Sequence, residues 1–146
     1  MLKKEDVLQG FFKGVCCSMA VFGEAAREHG MDEAAARRIA SCFGSGMEHA
    51  GLCGCVTGAY MALGLKYGAG GPGETEKLAQ LREKKAEFER RFSERWGSLE
   101  CTKMLGGLDP ARPDELKAAV ERGLFGSVCA PAVCDACAIL KELDEE

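Results

Sequence analysis

The sequence predicts an all-α fold, a compact single-domain helical bundle around a buried, glycine-rich central helix at about residues 53–67. Three observations carry that expectation. The stretch 51–68, Gly-Leu-Cys-Gly-Cys-Val-Thr-Gly-Ala-Tyr-Met-Ala-Leu-Gly-Leu-Lys-Tyr-Gly, has no polar face when wound as a helix. Apolar residues recur at helical spacing through much of the remaining chain, and no segment reads convincingly as a strand. At 146 residues the chain is one domain, 1–146, long enough to bury roughly two-thirds of its unfolded surface without staples.

In the central stretch Val56, Tyr60, Leu63 and Tyr67 fall on one side and Met61 and Leu65 on another. Ala59 and Ala62 close the circle, and Lys66 is the only charge. A helix apolar all round is a buried one, and this one is too short and too glycine-rich to span a membrane. Gly54, Gly58 and Gly64 each cost about 0.5–1 kcal/mol against alanine. That cost makes sense where another backbone or a compact ligand comes close. Tyr60 and Tyr67 read as core aromatics whose hydroxyls find partners.

The other elements follow in order. Residues 4–29 read as helix, broken near Gly10 or Gly14, with Phe11, Val15, Met19, Phe22 and Ala26 as its core stripe. Cys16 flanks that stripe and Cys17 lies roughly opposite it. Gly30 ends the helix, and Asp32 caps the next, which runs to about Ser41. Residues 42–51 hold several glycines and form a loop whose free N–H groups suit an anion such as a thiolate. Residues 69–73 break the chain. Residues 74–96 make a long surface helix with Leu78, Leu81, Phe88, Phe92 and Trp96 as a narrow apolar stripe, and with Glu87 and Arg91 at pairing distance. Its charges read as a solvated face. Gly97 stops that helix, and Ser98 caps a short one carrying Cys101. A polar helix spans about 114–122, Leu124 to Val128 connect, and the last helix starts near Cys129 and Pro131. Val133, Cys137 and Leu140 form its core stripe, and Asp144 to Glu146 a fraying tail.

A net charge of −4 and a pI near 5.3 exclude the basic face that nucleic acid or an anionic membrane surface requires. No apolar run reaches membrane length, and the first residues lack a secretory signal. The expected location is therefore cytoplasmic, with no membrane insertion. In that reducing compartment nine cysteines point to metal ligands or redox thiols before a disulfide framework.

Cys53, Cys101 and Cys129 each fall in or just before the first turn of an expected helix, and Cys17 joins them if the chain breaks at Gly14. A helix N-terminus carries partial positive charge and spare N–H donors. It favours the thiolate, which is both nucleophile and metal ligand. Four converging thiolates repel unless a cation such as iron or zinc sits among them. Cys53 and Cys55 point about 200° apart on a regular helix, so they share a metal only if the helix begins after Gly54. Cys129, Cys134 and Cys137 copy a ferredoxin-like spacing but sit in a segment that reads as helix. No C-x-x-C-H run is present, so covalent haem is not expected. Cys16, Cys42, Cys134 and Cys137 read as packing residues. His49, four residues before Cys53, is a further candidate ligand or proton relay, with solvated histidine as the alternative.

Gly14-Val15-Cys16-Cys17, the box Cys53-Gly54-Cys55-Val56-Thr57-Gly58, and the single Cys101 and Cys129 together resemble the C_GCAxxG_C_C family of redox proteins. The resemblance spans nearly the whole chain and includes Ala59, Gly64, Tyr67 and Gly68 after the box. Its four cysteines would be Cys17, Cys53, Cys101 and Cys129. The departure is Cys55, where the pattern carries alanine; it adds or shifts a ligand, or is a tolerated small residue. The family is also similar to the cluster-binding part of split-Soret cytochromes, which implies an iron–sulfur cluster without the haem.

Three functions are therefore open. The first is an iron–sulfur protein that transfers electrons to an unidentified redox partner protein, with Cys17, Cys53, Cys101 and Cys129 as ligands. The second is a thiol–disulfide redox protein without metal. The third is a structural zinc or helical interaction module, in which the glycine-rich helix supports a homodimer.

Overall fold

The computed structural model describes residues 2–146, and the chain is helical throughout. Eight α-helices follow in order among the described residues: α1 (Lys4–Phe12), α2 (Cys17–Glu28), α3 (Glu33–Ala40), α4 (Gly54–Tyr67), α5 (Thr75–Trp96), α6 (Cys101–Met104), α7 (Pro113–Glu121) and α8 (Ala130–Asp144). A 3-10 turn, Ser45–Glu48, precedes α4, and a π turn, Phe125–Cys129, leads into α8. The one strand-like feature among the described residues is an isolated antiparallel bridge between Leu52 and Glu100.

Local chemistry explains the boundaries. Gly14 takes φ +89, which breaks the first helical stretch so that α2 starts at Cys17. The apolar stripe expected across that break is consequently split. Phe22 and Ala26 are buried with Ser18 and Val21, whereas Phe11, Val15 and Met19 are only half-buried. Asp32 Oδ2 accepts from the Ala35 N–H at 2.9 Å and caps α3. Gly97, with φ +79, terminates α5, a conformation that glycine adopts at little cost.

The last helix differs from expectation. Leu124 to Val128 are not a connector: helical geometry runs from Leu124, and Cys129 lies inside it with φ −65 and ψ −49. The Ala130 N–H donates to Phe125 O, five residues back. Pro131 follows immediately and has no N–H to give, and the wider turn accommodates its ring.

The middle of the bundle is α2, α4 and α8, with α5 laid across α4 and α8. Val21, Val56, Leu63, Phe88, Phe92, Val133, Ile139 and Leu143 form its interior, and the Phe88 and Phe92 rings stack at 5.7 Å. The first part of α4, Gly54 to Ala59, is enclosed on all sides as its sequence predicts. Its end emerges: Leu65 and Lys66 are exposed, and the space beside Gly64 is open.

The central helices α2, α4 and α8 all point the same way. Their C-terminal ends meet at Asp144, whose carboxylate lies 2.7 Å from Lys66 Nζ, 3.2 Å from the Tyr67 hydroxyl and 3.7 Å from His29 Nε2. Lys84 Nζ donates to Leu143 O at 2.9 Å, and Arg91 pairs with Glu142 at 3.1 Å and Glu146 at 2.8 Å. Thus the acidic tail does not fray, and part of the α5 charge is not simply solvated: cations of α4 and α5 hold the negative end of α8. The Glu87–Arg91 pair forms as expected, at 2.8 Å.

Two glycines set the contact between α4 and α2. A Cβ at Gly58 would lie 2.8 Å from Ser18 O, and one at Gly54 would lie 3.0 Å from Ser18 N and 3.1 Å from Cys17 Sγ. Ser18 in turn donates to Ala40 O at 2.7 Å and ties α3 to the pair. Gly58→Ala should therefore destabilise the protein by about 1–3 kcal/mol, because the obstacle is backbone. Gly64→Ala, in open space on the same helix, should be neutral or stabilising by up to about 1 kcal/mol. Chemical denaturation of the two variants beside the wild type checks both signs; equal effects would refute the packing argument.

Candidate functional site

The N-terminal ends of α2 and α4 meet opposite the Asp144 cluster, and the cysteines gather there. Cys17 is the first residue of α2. Cys53 is the N-cap of α4, in extended conformation with φ −55 and ψ 141. That departure from helical geometry removes the objection to a shared site with Cys55: one residue is outside the helix and the other is inside its first turn.

The bridge at Leu52 and Glu100 sets Cys53 beside Cys101. The Cys53 N–H donates to Leu99 O at 2.8 Å, and the Cys101 N–H donates to Gly51 O at 3.0 Å. Residues flanking a bridged pair project to the face opposite it. Cys53 and Cys101 thus leave the same side of the bridge, and Cys101 opens α6. The fourth cysteine, Cys129, arrives from the π turn that enters α8.

Residues 45–50, apart from His49, are wound the left-handed way. Ser45, Met47, Glu48 and Ala50 have φ between 54 and 60, and Gly46 has φ 66. For residues with a Cβ this left-handed backbone costs about 1–2 kcal/mol each. Gly46 O holds the turn by accepting from His49 N at 3.1 Å and Gly51 N at 2.8 Å. Thr57 Oγ1 anchors its approach by donating to Phe43 O at 3.0 Å. The turn sets the Ser45 N–H where it helps lower the Cys17 thiol, as suits a glycine-rich loop with free N–H groups. Strained backbone of this kind concentrates at functional sites.

Cys17, Cys53, Cys55, Cys101 and Cys129 line one small cavity, which Met104, Leu105 and Val128 complete with apolar surface. Cys53, Cys55 and Cys101 are buried, and Cys17 and Cys129 are half-buried. The structure therefore brings together all four of the cysteines selected from the sequence, and Cys55 with them. His49 is exposed and is not part of the lining. Met104, Leu105 and Val128 were not foreseen; their signal is adjacency in sequence to Cys101 and Cys129.

The thiols differ electrostatically. The Cys17 thiol is lowered from the ordinary 9.0 to about 7, first by the Cys55 thiol beside it and then, against the opposing effect of burial, by the N–H groups of Ser45, Cys17 and Ser18. Cys55 is pushed well above its ordinary value because its proton serves Cys17 first and Cys53 second, and because it is buried. Burial, followed by the charges of Cys53 and Cys17, pushes Cys101 up to about 12. Cys129 is raised by burial and then by the charges of Cys17, Cys53 and Cys101. Cys17 is thus drawn toward the thiolate, while Cys55, Cys101 and Cys129 are held toward the thiol. Further deprotonation requires a positive charge in the cavity.

The remaining cysteines lie elsewhere. Cys16 packs on the open side of Gly44, where a Cβ would sit 2.6 Å from its sulfur. Cys134 and Cys137 face a separate cleft with Leu2, Glu24, His29 and Leu63, so the ferredoxin-like spacing with Cys129 joins no common site. Cys42 is exposed rather than packed, because it follows the end of α3 where the chain turns outward. Among the described residues, no three His, Cys, Asp or Glu side chains are disposed to hold one metal ion.

The family model described as "Putative redox-active protein (C_GCAxxG_C_C)" matches residues 15–143. The chain belongs to the C_GCAxxG_C_C family. The matched span contains all five cysteines of the cavity. No curated protein and no solved structure matches the chain. In this C_GCAxxG_C_C protein Cys55 faces the same cavity as Cys17, Cys53, Cys101 and Cys129. No single described helix is long and apolar enough to cross a membrane.

The unequal thiols set a pH dependence for the reduced, metal-free protein. Alkylation of Cys17 should rise with a midpoint near pH 7, two units below the ordinary 9.0. Cys55→Ala removes the strongest stabiliser of that thiolate and should move the midpoint upward. Because the folded value lies below the unfolded one, the thiolate adds stability that is complete above pH 9 and is lost as pH falls through 7. Site-resolved alkylation rates between pH 5 and 10 measure the midpoint; an unchanged midpoint in the variant would reject the Cys55 contribution.

Proposed function

We propose that this redox-active family member is an electron carrier that holds an iron–sulfur cluster through Cys17, Cys53, Cys101 and Cys129. The observation that carries the reading is the cavity: four cysteines far apart in sequence line it, and its remaining walls are apolar. Bound there, a cluster would supply one-electron chemistry near the surface. The chain's own part is to hold four sulfurs, exclude water with Met104, Leu105 and Val128, and direct N–H groups at the sulfur of Cys17.

The donor set fits such a group. Burial and mutual repulsion keep Cys101 and Cys129 protonated, and cationic iron is what would release those protons. A single zinc needs four sulfurs about 2.3 Å from one point, hence about 3.8 Å from each other. These thiols share a cavity without converging that closely. A cluster, being larger than a single ion, would tolerate a wider spacing of the four sulfurs. Half-buried Cys17 and Cys129 would lie nearest a docked redox partner protein. A thiol-rich site of this kind suits the reducing cytoplasm.

Anaerobic reconstitution with iron and sulfide should give matching amounts of both in the protein, and a visible absorption that bleaches on reduction. Serine at position 17, 53, 101 or 129 should each remove most of that absorption, while serine at 134 or 137 should not. Colourless, iron-free wild type after reconstitution would overturn the proposal, as would four single variants that all keep the chromophore.

A further inference from the structure

The cluster reading leaves one thiol of the cavity unused. Cys55 is fully buried among the core residues, and it lines the cavity beside Cys17. Gly54 produces the contact: with no side chain, the first turn of α4 lies directly on the start of α2, where a Cβ would touch Cys17 Cβ and Sγ, both at 3.1 Å. Cys53 is the other sulfur near Cys55, but a link between them would close a ring across a single residue, too tight for ordinary disulfide geometry. Cys101 and Cys129 reach the cavity from other elements, α6 and the π turn.

We infer that Cys17 and Cys55 form a reversible disulfide in the cluster-free protein, which protects Cys17 from irreversible oxidation and closes the site to iron. The oxidant is a small peroxide able to enter beside half-buried Cys17. In the first step the Cys17 sulfur takes one peroxide oxygen as a sulfenic acid, and the other oxygen leaves as water. In the second, the Cys55 sulfur attacks the Cys17 sulfur, the S–S bond forms, and the sulfenic oxygen leaves as water with the Cys55 proton. Two thiols are oxidised and one peroxide is reduced to two waters. A dithiol returns both thiols by exchange. The disulfide does not depend on the cluster; only its second consequence, a closed site, rests on that reading.

The test uses reduced, iron-free full-length protein and equimolar hydrogen peroxide. Two of the nine thiols should disappear, and fragment spectra that separate Cys16 from Cys17 and Cys53 from Cys55 should join Cys17 to Cys55. Dithiothreitol should restore both. In Cys55→Ala given two equivalents of peroxide, Cys17 should instead gain two oxygens as a sulfinic acid, which dithiothreitol does not reverse. Circular dichroism checks that the variant is folded. A link from Cys17 to Cys53 or from Cys53 to Cys101 would overturn the inference, as would a variant that loses and regains two thiols like the wild type. The oxidised wild type should also lose iron uptake until dithiothreitol is added; uptake equal to that of the reduced protein would reject the closed site. Failure of the reduced wild type to take up iron would instead reject the cluster and leave the disulfide assignment intact.

Discussion

The structure depends on one close approach, that of the first turns of α4 to the start of α2. Gly54 and Gly58 make it possible, since a side chain at either would meet the backbone of Ser18. Glycine in a helix costs about 0.5–1 kcal/mol, and here that cost is offset by the close contact it permits between α4 and α2. The contact also decides the chemistry. Cys17 opens one helix, Cys53 and Cys55 open the other, and pressing the two helix starts together brings their sulfurs into one cavity. Separating the helices by the width of a methyl group would loosen the core and disperse the thiols at once.

The surroundings of that cavity are built to tolerate negative charge. The positive ends of α2 and α4 point at it, and the left-handed turn at residues 45–50 adds the Ser45 amide. Four residues with side chains held in that turn store strain that neighbouring contacts must offset: the Gly46 carbonyl with two acceptor roles, and Thr57 anchored on Phe43. A relaxed loop would span the same distance at lower energy, but it would not aim an N–H at Cys17. The site is thus favourable for one thiolate and demanding for four, a balance that a cationic group in the cavity would change.

Much of this was legible in the sequence, for identifiable reasons. The all-α class and the buried start of α4 follow from an apolar circumference interrupted only by glycine. Asp32 and Gly97 marked helix ends because capping is local chemistry. Cys17, Cys53 and Cys101 could be placed at helix starts by the same local signals. What was not legible depends on long-range contact. The bridge of Leu52 to Glu100 pairs two short segments with no strand pattern. The π turn moved Cys129 into a helix where Pro131 suggested a start. The acidic end of α8 looks like a fraying tail until α5 folds back to supply Lys84 and Arg91. Cys55 was ambiguous because its direction depends on whether Cys53 lies inside or outside the helix.

The two ends of the bundle have complementary tasks. Three neighbouring helices that run the same way place like dipole ends side by side, which is unfavourable unless both ends are compensated. At the C-terminal end the compensation is permanent: Lys66 and Lys84 lie on Asp144 and on the Leu143 carbonyl, and Arg91 and Arg95 pair with Glu142. The stacked Phe88 and Phe92 rings belong to the helix that carries three of these cations. At the N-terminal end the compensation is left to sulfur, chiefly the lowered Cys17 thiol, with more negative charge if a cation were to draw further protons away. Regular, well-paired helix ends at one pole permit short and irregular pieces at the other, namely the left-handed turn, the four residues of α6 and the π turn. Those pieces give each cysteine its own line of approach, which no single regular helix could do for sulfurs that line one cavity.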